Sequence, residues 1–445
     1  MTSLLAFLFV LGVLVFVHEL GHFLVARWHG VRVLTFSLGF GPKLIKWRKG
    51  DTEYAISAIP LGGYVKMAGE MGGDGTADFA VQLEGKPDEF MSKTKWQRFQ
   101  IFVAGPVMNI ILALVIMTFV LYQGASEPAY LSEPARIGAI APKSAAEKVG
   151  LKPGDLIVNV AGRDIATWDQ LEMVVMPRAN RELDIVIERD GNRQTIKVTP
   201  DARTKYEMGD LGVIPRLQAQ LALVNPGEQA EKAGLKVGDV VIALNGKPVQ
   251  YEEFTKTLRA SPEQQVMFTI KRAGQQMDIP VQTINKGGIG WVGVSLTPAE
   301  GPRIEPTFLQ AIQLSAKKNL EWSTMIFQTF AGLFKGETSP KQLMGPVGIA
   351  ELSGTAAAIS WVALFSLMAM ISLNLGILNL LPIPMLDGGH IFIMALEGVA
   401  RRDFSLRVKE KLLMAGFVAI MMLMATVIYN DLTRVEWIER LMPWR

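Results

Sequence analysis

Four long apolar runs punctuate the chain, at residues 4–26, 99–121, 359–381 and 412–429. Each is close to the ~20 residues that a helix needs to cross a hydrocarbon core, so each predicts a membrane span. The first run lacks both a basic leader and a small-residue cleavage site, which predicts a retained span rather than a signal peptide. A shorter uncharged run at 322–334 is bounded by Lys317, Lys318, Glu321 and Lys335. Around it Leu309, Ile312, Leu320, Phe327, Phe330 and Phe334 recur at roughly helical spacing. That pattern predicts an amphipathic helix resting on the membrane or on the spans. A fifth crossing there would invert the third span. Residues 31–40 and 53–60 read as strands bounded by glycine-rich turns.

The polar region between the second and third runs contains a duplication. Ala146-Glu147-Lys148-Val149-Gly150-Leu151 and Gly154-Asp155 recur as Ala230-Glu231-Lys232-Ala233-Gly234-Leu235 and Gly238-Asp239, and Gly162 answers to Gly246. The constant offset of 84 residues predicts two compact domains rather than a solenoid. Their strands rich in valine and isoleucine, with glycine and aspartate turns, predict small β-sandwiches with short helices.

Composition agrees with a divided chain. With 49% hydrophobic and only 20% charged residues over 445, and a mean hydropathy of +0.26, the chain is too apolar for a soluble enzyme of this size. It is also too polar to lie in a membrane throughout. The net charge of +3 gives no reason to expect nucleic acid. The absence of cysteine excludes disulfides, cysteine-type zinc sites and a thiol nucleophile. Lysine and arginine crowd two stretches. One follows the first span, with Arg27, Arg32, Lys43, Lys46, Arg48 and others up to Arg98. The other precedes the fourth, with Arg401, Arg402, Arg407, Lys409 and Lys411. The positive-inside rule places both in the cytoplasm. The termini and the region 122–360 are then expected on the far side, the periplasm of a Gram-negative bacterium.

Candidate chemistry lies inside the first span, in Val17-His18-Glu19-Leu20-Gly21-His22. Positions i and i+4 share a helix face, so His18 and His22 can point at one metal ion. Glu19 falls beside them, placed to take a proton from water that the metal activates. Ionisable groups at membrane depth are costly and mark function. About fourteen residues separate Leu4 from His18, or ~21 Å of helix, which puts the motif past the midplane and nearer the cytoplasm. A catalytic zinc usually takes three protein ligands. His29 and His390 are off the helical spacing, and His29 reads as a surface histidine. The better candidate is Asp387, at the end of the third span. There Pro382 and Pro384 break the helix and leave backbone groups unpaired, which is tolerated at depth only against protein or a wet cavity. The plain alternative makes Asp387-Gly388-Gly389 an interfacial turn that caps the next helix. The motif in the first span tips the balance towards a ligand.

An intramembrane His-Glu-x-x-His followed by Asn379-Leu-Leu-Pro382-Ile-Pro384-Met-Leu-Asp387-Gly388 resembles the site-2 protease family of intramembrane metalloproteases (peptidase M50 type), in its regulator of sigma-E protease branch. Phe40-Gly41-Pro42, the stretch 59–67, Ala104-Gly105-Pro106-Val107-Met108-Asn109 and Gly345-Pro346-Val347 are similar as well, so the resemblance runs over almost the whole chain. It implies one Zn2+ held by His18, His22 and Asp387, with Glu19 as general base. It also implies that Asn379, with Asn374, Pro382 and Pro384, contacts substrate. For the asparagines the plainer reading is helix–helix hydrogen bonding. The expected fold is a four-span α-helical core with a membrane-associated β-loop and two periplasmic PDZ-like β-sandwich domains. In chain order these are span 1 (1–27), the cytoplasmic and membrane-dipping β-loop region (28–98), span 2 (99–122), and the PDZ-like domains (123–210 and 211–302). There follow the periplasmic amphipathic helix and linker (303–358), span 3 (359–381), the Leu-Asp-Gly loop and cytoplasmic segment (382–411), span 4 (412–429) and a tail (430–445).

The resemblance further implies transmembrane protein substrates in the inner-membrane bilayer. They would be single-pass proteins already cut in the periplasm, such as an anti-sigma factor, and remnant signal peptides. An edge of the β-loop would pair with an unwound substrate helix. PDZ domains capture peptide C-termini at a sheet edge, and Leu211-Gly212-Val213 and Val292-Gly293-Val294 are both candidate carboxylate loops. A steric gate is the favoured role for the pair, ahead of a peptide sensor. Two other classes fit less well. A metal transporter would need a polar path through several spans, and spans two and four offer almost no ionisable residues. A membrane-anchored PDZ scaffold would leave the histidine motif without a purpose.

Overall fold

The computed structural model describes residues 2–70, 85–124, 128–203, 206–299, 301, 305–336 and 338–433. Most of the expected tail, from 434 onward, lies outside them. The chain divides into two compact units. One comprises Met1–Gly124, Glu305–Ala331 and Leu343–Arg445; the other comprises Ala125–Ile304 and Gly332–Gln342.

The first unit is built on α1 (Thr2–Trp28), α2 (Lys95–Tyr122), α3 (Phe308–Phe334), α4 (Pro346–Ile359), α5 (Trp361–Asn379), α6 (Asp387–Ala400) and α7 (Leu406–Thr433). Of these α1, α2, α5 and α7 are long and apolar enough to cross a membrane. Capping sets two of the starts. Thr94 and Gln97 form a capping box that begins α2 four residues before the expected 99, within the basic stretch. Ser360 accepts from the Ala363 N–H at 3.0 Å, which separates α4 from α5.

Helix contacts follow small residues, as in other membrane bundles. A Cβ on Gly21 of α1 would strike the Ala104 carbonyl of α2, and one on Gly376 of α5 would strike the Pro106 carbonyl. Val10, Leu14, Ile116, Met117, Val120, Met368 and Ala369 fill the seam between the three helices. Charged groups tie α7 at both ends. The buried Glu397 of α6 accepts from Lys409 Nζ at 2.7 Å and from the Phe404 N–H at 2.8 Å. At the other end Asp431 accepts from the N–H groups of Gly345, Val347 and Gly348 and so caps α4.

The helix α3 is amphipathic, with its small residues packed and its bulky ones outward. Its buried stripe is the small set Ala311, Ser315 and Asn319, and Ser315 Oγ donates to the Leu114 carbonyl of α2 at 2.9 Å. The bulky Leu309, Ile312, Leu320 and Phe327, whose spacing predicted the helix, point outward. Small residues let the backbones approach closely, and lipid solvates large apolar side chains as well as protein does.

Between α1 and α2 run two long strands, β1 (Val33–Lys49) and β2 (Thr52–Met67). They extend beyond the expected 31–40 and 53–60 because the pair folds over on itself. Phe36 of β1 pairs with both Val65 and Tyr54, and Tyr54 pairs with Trp47 as well. Gly39, Gly41 and Gly62, all at positive φ, allow the fold-back. The stretch Gly63–Val65 thus lies at the edge of the sheet, paired with β1 on one side.

In the second unit the two duplicated segments repeat one topology. Strands Leu183–Arg189 and Gln265–Arg272 each lie between a hairpin partner (Asn192–Val198, Gln275–Gln282) and an inner strand (Leu156–Val160, Val240–Leu244). The strand Val213–Pro215 pairs with Ile137–Ile140, as Val294–Pro298 pairs with Ala219–Val224. Leu211 belongs to the first core. The strand Val213–Pro215, beyond the expected 210/211 boundary, thus pairs with a strand of the first repeat in a two-stranded sheet of their own. Each core is separate, one around Ile157, Trp168 and Ile185, the other around Val241, Phe254 and Phe268.

Candidate active site

His18 and His22 are both buried on the face of α1 that meets α2. Asp387 begins α6, directly after the proline-broken segment, where Met385 takes a positive φ. Gly388 and Gly389 let this turn fold tightly, since a Cβ on either would collide with the carbonyls of residues 380, 381 and 383. The turn brings the carboxylate to the histidines. Nε2 of His18 lies 3.2 Å from one Asp387 oxygen, Nε2 of His22 lies 3.4 Å from the other, and the two Nε2 atoms are 3.3 Å apart. Ligands ~2.0–2.1 Å from a tetrahedral zinc sit about 3.3 Å from one another; the three contacts are of that size, with the two histidines meeting different oxygens of one carboxylate. Among the described residues these three side chains form the one cluster that could hold a metal ion.

The rear nitrogens of both imidazoles meet α2. His22 Nδ1 faces the Ile101 carbonyl at 2.8 Å, and His18 Nδ1 faces the Asn109 amide at 3.1 Å. Gly105 makes this approach possible, because a Cβ there would collide with His22 Nε2 and with the His18 ring.

The cluster opens onto a cavity of about 500 Å³. Glu19, itself buried, lines it beside His18 and His22. The opposite wall is one side of β2, with Gly62, Gly63, Tyr64, Val65 and Met67. A Cβ on Gly63 would lie 2.9 Å from Glu19 Cγ, so glycine keeps this edge close to the carboxylate. Asn379 also lines the cavity. Asn374, Pro382 and Pro384 do not; Pro384 packs against Gly416 of α7. His390 reaches the cavity stacked on Phe102, with ring centroids 4.6 Å apart, and stands outside the cluster of His18, His22 and Asp387. His29 bonds to Gln100 Oε1 at 2.7 Å. Sequence reasoning missed Asn109, which meets His18 from behind, and in the cavity Glu70 and the wall provided by α7 with Phe417 and Met421. Asn109 had a signal, an amide in an apolar span; the α7 residues had none.

The family model for peptidase family M50 matches residues 6–423, and the chain belongs to that family. It is a zinc metalloprotease. Over 97% of its length it is 32% identical to Protease RseP of Yersinia pestis, 99% of which is covered. It is 33% identical to the regulator of sigma E protease of Haemophilus influenzae, with the same coverage of both chains. A Vibrio cholerae protein named "Putative zinc metalloprotease" is 34% identical over 97% of this chain and 99% of its own.

Proposed function

We propose that the chain is an intramembrane zinc endopeptidase that cuts transmembrane segments of single-pass membrane proteins. The observation that carries this reading is the cluster of His18, His22 and Asp387, with contacts of 3.2–3.4 Å, opening beside Glu19 onto a cavity that one side of β2 lines. His18, His22 and Asp387 hold one zinc ion. Zinc, when bound, polarises the scissile carbonyl and lowers the pKa of water towards ~7. Glu19 takes the proton from the attacking water and delivers it to the leaving amine nitrogen. A scissile bond inside a helix is shielded by its own hydrogen bonds. The main-chain groups of 63–67 offer the alternative pairing that lets a substrate segment enter extended. Asn379 contacts the substrate backbone from the cavity wall, while Pro382 and Pro384 shape the segment that presents Asp387.

The basic stretches after α1 and before α7 orient the protein in a bacterial inner membrane, with the termini and the second unit periplasmic. Relatives named as regulators of sigma E support a place in regulated proteolysis. An anti-sigma factor already cut in the periplasm is the expected substrate, with remnant signal peptides as a second class. The two repeats are PDZ-like domains that filter substrates by size. Peptide capture is a second reading for the first of them, favoured by a groove of about 230 Å³ lined by Trp168, Leu171, Arg203, Leu211 and Val213.

The test is cleavage of a model transmembrane substrate by the full chain and by Glu19→Gln. The variant is expected to keep its zinc and lose cleavage by ~10²–10⁴-fold; retained cleavage would overturn the protease reading.

A further inference from the structure

The segment Ala104–Asn109 of α2 leaves one residue without a role. Gly105 is explained by the approach of the histidines, but Asn109, one turn further on, is fully buried in an apolar span. Its main-chain carbonyl already accepts from Ser372 Oγ of α5 at 2.8 Å, which fixes where its side chain starts. The amide then reaches His18 Nδ1 at 3.1 Å, with Nδ2 as the near atom, and Oδ1 has no hydrogen-bond partner among the described residues. A helix–helix hydrogen bond does not account for it, since the amide meets the ring of a candidate ligand.

The chemistry of that ring decides which end of the amide belongs there. His18 turns Nε2 towards His22 and Asp387. A neutral imidazole that offers its Nε2 lone pair to a metal carries its proton on Nδ1 and needs an acceptor behind it. An amide NH2 cannot accept, whereas the carbonyl oxygen can, and a half-turn about the terminal bond exchanges the two. His22 already has such an acceptor in the Ile101 carbonyl.

We infer that Asn109 is a positioning residue of the metal centre, its Oδ1 accepting the His18 Nδ1–H and so holding Nε2 towards the zinc. Both ligand imidazoles are then backed by α2, one through main chain and one through a side chain that substitution can remove. The inference rests on the proposed ligand role of His18.

The test measures zinc affinity of the detergent-solubilised full chain by chelator competition, together with the visible spectrum of the Co2+-substituted protein. Asn109→Leu removes the acceptor at similar volume and is expected to weaken zinc binding ~10–100-fold and to shift the Co2+ bands. Asn109→Asp keeps an acceptor and should bind within about threefold of wild type, with the tetrahedral spectrum preserved. Asn109→Ala, which adds no bulk, serves the same purpose if the leucine variant does not fold. Wild-type affinity in the leucine or alanine variant, or an equal loss in the aspartate variant, overturns the inference. His18→Ala separates the two layers. If it loses zinc while Asn109→Leu keeps it, only the role of Asn109 falls. If His18→Ala itself keeps zinc, the ligand assignment falls with it.

Discussion

Two carboxylates, the partly buried Asp387 in the first unit and the buried Asp155 in the second, show how differently the same group can be used. Asp155 is closed. Arg189 donates to both of its oxygens at 2.7 Å, the Lys152 N–H adds a third bond at 2.8 Å, and the guanidinium also reaches the Gly150 carbonyl. The duplicate repeats the device, with Arg272 on Asp239 at 2.6 Å and the Lys236 N–H at 2.8 Å. A planar fork that saturates a carboxylate fixes local structure. Asp387 instead faces two imidazole nitrogens whose rear atoms are engaged elsewhere, so three lone-pair donors converge on one point. A carboxylate saturated by a fixed cation marks architecture; one that converges with other donors marks metal chemistry.

The comparison breaks most visibly at Asp387. Asp387→Ala should cost zinc affinity more than the ~100-fold that loss of an outer partner costs, with no change in the second unit; full zinc retention would remove Asp387 from the ligand set. Next comes Gly105→Ala, which drives a methyl group into both histidine rings. Overpacking of this kind costs ~1–3 kcal/mol. Thermal unfolding should report that loss together with weaker zinc binding, and an unchanged zinc affinity would show that α2 gives way more easily than the histidines.

Asp155→Asn sharpens the other side. It should destabilise the first repeat by about 3 kcal/mol, because the arginine keeps its charge and loses its counter-ion. Amide exchange across 137–215 should rise while exchange in the second repeat stays unchanged. Burial pushes the Asp155 carboxyl up, but the hydrogen bonds and charge of Arg189, with the Lys152 N–H, outweigh it and hold the group below the usual carboxylate range. Its stabilisation is therefore present above the unfolded value of about 3.9 and is lost as pH falls through the lower folded value. The difference between wild type and variant should narrow once pH falls below about 4 and close below the folded value, and a gap that did not narrow on acidification would argue against the ion pair.

Much of this was legible in the chain. The four spans appear as apolar runs of sufficient length, and the duplicated glycines and aspartates announced two alike domains. His18, Glu19 and His22 share a local helical spacing that needs no tertiary contact to be recognised. Asp387 was reachable only because two prolines flagged a broken helix at the right depth. Other features were hidden. The stripe of large residues on α3 identified an amphipathic helix, but nothing in that stripe announced the small residues through which it packs on α2. The pairing of Val213–Pro215 with Ile137–Ile140, residues far back in the chain, was hidden as well.

The sequence by itself determined what is local or periodic: membrane crossings, the histidine motif, the repeat, and the chemical class of the site. Tertiary structure decided what depends on contacts distant in sequence. It set the 3.2–3.4 Å contacts that join α1 to α6, the glycine at 105 that admits two imidazoles against α2, and the placing of Asn109 behind His18. The physical reason is that helical spacing reports only which residues share a face. Which face meets which neighbour, and how closely, is settled by packing between elements that are far apart along the chain.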